Sequence, residues 1–270
     1  MRVAVIRRTV LTASAVSLAL SVTACGAGAQ GDGGDAGKEG KGGSAPGKAA
    51  VKALSAAELG ERVIAQGDVK GHQVEKPGKD DVFAPGSVSA GKAACEPVAQ
   101  VLSSLPVGKP VSRVQRLVVH KPAEAEKGMP STDKLAGMTE KEAGDAALDS
   151  LDITKTMTSL WSYDGDGAAR ALAALRKAGK ACAGGFTMTA DGGKQQVTKV
   201  TEEKLSAGQE AVAWTVGTKQ GGSAADTKVV VFRQGATLAG FSSFNIAAIS
   251  RGEKFGQPAA VIEAQEAKLR

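Results

Sequence analysis

The chain has 270 residues, a formal net charge of +6, 3% aromatic side chains, 2 histidines and 3 cysteines. Arg2, Arg7 and Arg8 lie in the first 24 residues, and without these three the charge of +6 falls to +3, spread over scattered lysines. Nucleic-acid binding needs a concentrated basic face and often aromatic stacking platforms; the sequence offers neither, so a nucleic-acid partner is set aside.

Residues 1–24 read as an export signal: a charged start, an apolar run from about Val10 to Val22, then small residues. The run is shorter than the roughly 20 residues that a membrane span needs. The tetrad Val22-Thr23-Ala24-Cys25 resembles the bacterial lipobox, in which the cysteine thiol receives a diacylglyceryl group and becomes the acylated first residue. The alternative is an ordinary secretory signal cleaved near a cysteine. Lipidation of Cys25 implies a membrane partner, the lipid bilayer, and a location on the extracytoplasmic face of the cell membrane. From Gly26 to Lys48 the chain is glycine-rich and, Pro46 aside, has no apolar residue larger than alanine. Such a segment cannot offset its ordering entropy by burial, so residues 25–50 are expected to form a disordered tether. Residues 51–270 remain for the extracytoplasmic body.

With Cys25 assigned to lipid, Cys95 and Cys182 are left. An even remainder in an exported chain points to a disulfide; two buried free thiols are the alternative. No metal site is expected, because the two cysteines, His72 and His120 have no chelating spacing.

Along the body, Ser55-Ala-Ala-Glu58 has the form of a capping box and predicts a helix to about Gln66. Gly71–Glu75 reads as a short strand, followed by polar, glycine-rich chain up to Ala93. Pro97 suits a first helical turn, and Val98, Val101, Leu102 and Leu105 share one face, with Pro106 ending the helix. Val111–Val119 reads as a strand and Lys121–Gly137 as a long polar loop. Thr139-Glu-Lys-Glu142 opens a helix to about Leu148, and Ile153–Tyr163 reads as a strand. Asp164-Gly-Asp-Gly167 then turns the chain into a helix from Ala168 to Lys180, with Ala168, Ala171, Leu172 and Leu175 as its core face. Phe186–Thr189, Gln196–Thr201, Ala211–Gly217, Thr227–Arg233 and Thr237–Asn245 are strand candidates, most of them divided by glycine-containing turns. Pro258 opens a closing helix whose apolar side, Val261, Ile262 and Leu269, is interrupted by Gln265. Early helices, a late run of antiparallel strands and a closing helix define an α+β class, an antiparallel sheet packed with helices.

Several stretches resemble actinobacterial extracytoplasmic domains of the PknH-like sensor type, found on membrane kinases and as free-standing lipoproteins. They are Asp68-Val-Lys-Gly-His72-Gln-Val74, Cys95-Glu-Pro97, Trp161-Ser-Tyr163, Cys182-Ala-Gly-Gly-Phe186, Gly208-Gln-Glu-Ala-Val212, Val229–Leu238, Pro258–Ile262 and Gln265–Leu269. The resemblance spans about Leu54 to the end. It implies an α+β domain with a ligand cleft and carries over no catalytic residue. Two departures stand out: His72 where a tyrosine is more usual, and two cysteines where the kinase ectodomains tend to have two disulfides.

Candidate chemistry is sparse. His72 and His120 are possible ligand contacts, with a surface or partly buried role the simpler reading of each. Asp164-Gly-Asp-Gly167 looks like part of a calcium loop but lacks the further oxygen ligands of an EF-hand, so a turn with Asp166 capping the next helix explains it better. Trp161, Tyr163 and Trp214 suit core packing more than a ligand cleft. No nucleophile elbow, zinc-protease helix or phosphate loop is present. The expected function is therefore a non-enzymatic, lipid-tethered module that binds a small ligand or a cell-envelope partner, with no cofactor. A carrier for apolar molecules and an envelope hydrolase using acidic residues are the alternatives.

Overall fold

A computed structural model describes residues 51–220 and 223–270. The signal peptide, Cys25 and the whole tether lie outside the described residues. Nine strands form a single antiparallel sheet: β1 (His72–Glu75), β2 (Val88–Ala90), β3 (Ser112–His120), β4 (Thr154–Ser162), β5 (Phe186–Ala190), β6 (Gly193–Glu202), β7 (Glu210–Gln220), β8 (Ser223–Gln234) and β9 (Thr237–Asn245). Their spatial order is β1-β3-β4-β9-β8-β7-β6-β5-β2. The described helices are α1 (Ala56–Arg62), α2 (Glu96–Leu102), α3 (Ala123–Glu126), α4 (Thr132–Ala136), α5 (Glu140–Ser150), α6 (Gly167–Ala181), α7 (Ile246–Arg251) and α8 (Ala259–Leu269). The body is thus α+β. None of these helices is long and apolar enough to cross a membrane.

The sheet separates two cores. On one face, Trp161, Trp214, Val216, Val229, Val231 and Leu238 pack under α2 and α6. On the other, Leu160, Ala213, Val230, Phe232 and Phe241 pack under α1 and α8. The central strands β4 and β9 are covered on both faces, whereas β6 buries only one. This explains the composition of β4: its alternate positions Thr156 and Thr158 are buried hydroxyls, and Thr156 bonds Ser243 on β9 at 2.8 Å. Opposite, Gly240 makes room for the Trp161 indole, since a Cβ there would sit 2.4 Å from the ring. Gly185, in the turn from α6 to β5, has φ +84° and would bring a Cβ within 2.3 Å of the Val197 carbonyl, so this turn accepts only glycine.

Cys95 and Cys182 are disulfide-bonded, joining the start of α2 to the end of α6. Both sulfurs belong to the core beneath these helices.

Several elements depart from the sequence reading, each for a local reason. The first helix stops at Arg62 rather than Gln66, because Val63 turns extended. The helix opened by Pro97 stops at Leu102, short of Leu105. Ser104 takes φ +57°, Leu105 N donates to Gln100 O and Ser104 N to Val101 O, so a Schellman turn closes the helix with serine where glycine is usual. The supposed loop Lys121–Gly137 contains α3 and α4, and the polar segment before Ala93 contains β2. A further helix, α7, follows β9 directly, with the Asn245 side chain accepting from Ala248 N and Gly252 in the left-handed region closing it. Asp166 does occupy the N-cap position of α6, but its side chain makes no cap bond and instead pairs with Arg170.

The chain order has one geometric consequence. β1 and β2 are at opposite edges of the sheet, so Lys76–Ser87 must cross all of it. Eight inter-strand gaps of about 4.8 Å would span about 38 Å in a flat sheet. A link of roughly 12 residues reaches little more than ~40 Å when fully extended, and this one spends three residues on a 3₁₀ turn, Lys79–Asp81. The edges must therefore curl toward each other, around this strap.

Candidate functional site

The strap and the curled sheet enclose a groove of about 340 Å³ on the α2 face. Its floor is built from alternate residues of the strands: Leu117 on β3, Lys155 and Met157 on β4, Ser242 and Phe244 on β9, Thr227 on β8, Thr218 on β7, Gln195 on β6, and Met188 and Ala190 on β5. Register places Leu117 across from Met157, Met157 across from Ser242, and Lys155 across from Phe244. One wall is the end of α2, Leu102–Ser104, and the other is the strap, with Asp80, Asp81 and Phe83.

The α2 wall is fixed to the floor by polar contacts. Ser242 Oγ donates to Leu102 O at 2.8 Å, and Gln115 Nε2 donates to Ser104 O at 2.9 Å. The Schellman turn described above thus sets the groove's rim. Asp81 accepts from Gly78 N at 2.9 Å, which holds the strap's own turn. Phe244 is 36% exposed, a large apolar ring left uncovered on the groove floor, with Lys155 as its register partner. The volume falls at the small end of the range for small-molecule sites.

No histidine lines the groove beside its serines. Both histidines of the chain lie on the opposite sheet face, so no imidazole reaches Ser103, Ser104 or Ser242. Trp161, Tyr163 and Trp214 are not groove residues but core: each is at most 3% exposed. Tyr163 Oη donates to Val107 O, and burial pushes its phenol above the ordinary tyrosine range. The Asp164 turn is also structural, with Asp164 accepting from Ala53 N and Gly165 N donating to Val51 O. Among the described residues no cluster of three or more histidine, cysteine, aspartate or glutamate side chains could hold a metal ion.

On the α8 face, the structure brings His72 and His120 together. They are register partners on β1 and β3, with ring centroids 4.6 Å apart. Burial, and then the neighbouring His72, hold the His120 imidazole below its usual range. On the same face of the sheet, Glu203 receives Lys228 Nζ at 2.7 Å and Gln257 Nε2 at 2.6 Å, together with the Thr215 hydroxyl. Burial works to raise the Glu203 carboxyl, and the three donors outweigh it, holding it below the usual carboxylate range.

Sequence reasoning missed the groove because its residues come from seven strands, one helix end and the strap, with no local motif. Period-two alternation of Lys155 and Met157, and of Ser242 and Phe244, was the available signal.

No family model and no curated protein matches the chain. Among solved structures, the extracellular domain of PknH from Mycobacterium tuberculosis aligns with 81% of this chain and 98% of that chain, at 10% identity and a TM-score of 0.44.

Proposed function

We propose that this chain is a lipid-anchored, extracytoplasmic binding module without enzymatic activity, and that it holds a small amphiphilic ligand in the groove beneath the Lys76–Ser87 strap. One observation carries this reading: an uncovered Phe244 ring beside Met157 and Leu117, with Lys155 and several hydroxyl and amide groups around the same opening. Buried apolar surface supplies affinity, and the few polar groups orient the ligand. The groove's mixture of polar and apolar residues and its modest volume suit an amphiphile better than a long acyl chain. The hydrolase alternative would rest on Asp80 and Asp81, and Asp81 is already engaged in the turn of the strap.

Binding is tested with 1-anilinonaphthalene-8-sulfonate, which combines an aromatic body with an anionic group. Saturable fluorescence enhancement is expected, weakened at least about fivefold by Phe244→Ala, as loss of a contact worth 1.5–3 kcal/mol when fully buried would allow. Equal affinity in Phe244→Ala and Lys155→Glu proteins would remove the groove from consideration.

The anchor has its own test. Cys25→Ala is expected to abolish palmitate labelling and to move the protein from the membrane fraction to the soluble one. A labelled, membrane-bound variant would end the lipoprotein reading while leaving the groove proposal intact.

A further inference from the structure

Three residues in the lining of the groove carry charge, and their signs divide by element. Lys155 belongs to the β4 floor, whereas Asp80 and Asp81 belong to the strap. We infer that the groove takes a dipolar ligand, an apolar body with a carboxylate or phosphate for Lys155 and an ammonium group for Asp80. The inference deepens the reading of this groove as a binding site and rests on it.

Three observations carry it. First, the opposite charges share one opening of about 340 Å³ without pairing. No ion pair among the described residues includes Lys155 or Asp80. Their spacing is set by the fold, one on a strand and the other in the 3₁₀ turn that Gly78 N closes onto Asp81. A ligand with both charges can bridge them, whereas a singly charged one satisfies one group and meets like charge at the other. Concave walls of low dielectric strengthen both effects relative to an open surface. Second, the cation and the uncovered ring are neighbours. Lys155 and Phe244 are register partners across β4 and β9, and such partners have Cβ atoms about 4.5–5.5 Å apart on one face. The ligand's anionic group therefore belongs next to its apolar body, and its ammonium group toward the strap. Third, no further charge competes: the other lining residues are apolar or hydroxyl-bearing, apart from the Gln195 amide. Such neutral groups suit a peptide or ester link between the two charged ends.

Four forms of one probe separate the charges. The full chain is titrated calorimetrically with L-leucyl-L-phenylalanine, its N-acetyl derivative, its methyl ester, and the doubly blocked compound. The free dipeptide should bind about fivefold more tightly than either singly charged form, the upper end of what one solvent-exposed ion pair supplies. Lys155→Gln should abolish its preference over the methyl ester and keep that over the N-acetyl form. Asp80→Asn should do the reverse. Misfolding cannot produce this crossed pattern, since it weakens all four forms together. Monomeric dihexanoylphosphatidylethanolamine distinguishes the two sources of such chemistry: tighter binding than the dipeptide, with the same response to both variants, assigns a lipid headgroup, and weaker binding a peptide. Equal affinity for all four forms, or a preference that survives its matching variant, would overturn the dipolar ligand. A dye signal that still depends on Phe244 would then leave the groove itself as a binding site, whereas loss of that dependence would end both readings.

Discussion

Replacing Cys95 and Cys182 with alanine is expected to destabilise the body by about 4–5 kcal/mol, because the bond closes a loop with a sequence separation of 87 residues. The main term in the chain-entropy model is the freedom that the cross-link removes from the unfolded chain, and this grows with the logarithm of the loop length. In a domain of this size the loss amounts to a fall in melting temperature on the order of 10 °C. Position adds to the effect. Both cysteines are 1% exposed and sit among Val98, Leu172, Leu175 and Phe186, so truncation also removes packing between α2 and α6. Calorimetric melts of wild-type and double-alanine proteins measure it, alongside intact mass before and after reduction and alkylation. A shift under 2 °C would show that the cross-link constrains little. The consequence reaches function, because α2 ends in the groove wall Leu102–Ser104. A loosened α2 should weaken dye binding in the groove even where the sheet remains folded.

The α+β class and most strands were legible in the sequence because alternation is a local signal. Thr237–Asn245 was bounded to the residue, since Gly235 opens its hairpin and the run ends at the Asn245 cap. What sequence could not supply were the features that depend on pairing order. β2 has three residues and no alternation of its own, and it is a strand only because β5 offers it an edge. The approach of His72 to His120 follows from β1 pairing with β3, which neither residue's neighbours announce. α3 and α4 were read as loop because they carry almost no apolar face: Ala125 is their one buried side chain. α7 was missed although its punctuation, Asn245 before it and Gly252 after it, was readable; the strand before it runs straight into the helix with no polar gap. The stretches that carry the resemblance to sensor domains fall on turns, strand cores, the disulfide and α8, and they contain none of the groove's lining residues, which is why they are silent about a ligand.

Gln265 is the position where the sequence pattern and the structure disagree most usefully. It breaks the apolar side of α8, and by periodicity alone a leucine there would improve the helix. The structure gives the opposite expectation. Gln265 is fully buried, its Oε1 accepts from Ile64 N at 3.0 Å, and its Nε2 donates to Arg62 O at 2.8 Å. Both partners are backbone groups at the end of α1, where the helix has run out of its own donors and acceptors. One amide side chain from α8 thus caps α1 from outside, and α1 can stop at Arg62 so that Val63 and Ile64 enter the core. Gln265→Leu keeps the volume and deletes both bonds, leaving the buried Ile64 N–H and the partly buried Arg62 C=O unpaired. At about 1–3 kcal/mol for each stranded group, the variant should be about 2–5 kcal/mol less stable despite its greater hydrophobicity. Urea denaturation with an unchanged m-value would register this as a lower midpoint, and hydrogen exchange at the Ile64 amide should accelerate. A leucine variant as stable as wild type would mean that α1 needs no cap from α8 and that the interruption in the apolar stripe has no structural role. The sign of the effect, more than its size, is what separates a buried cap from an ordinary helix contact.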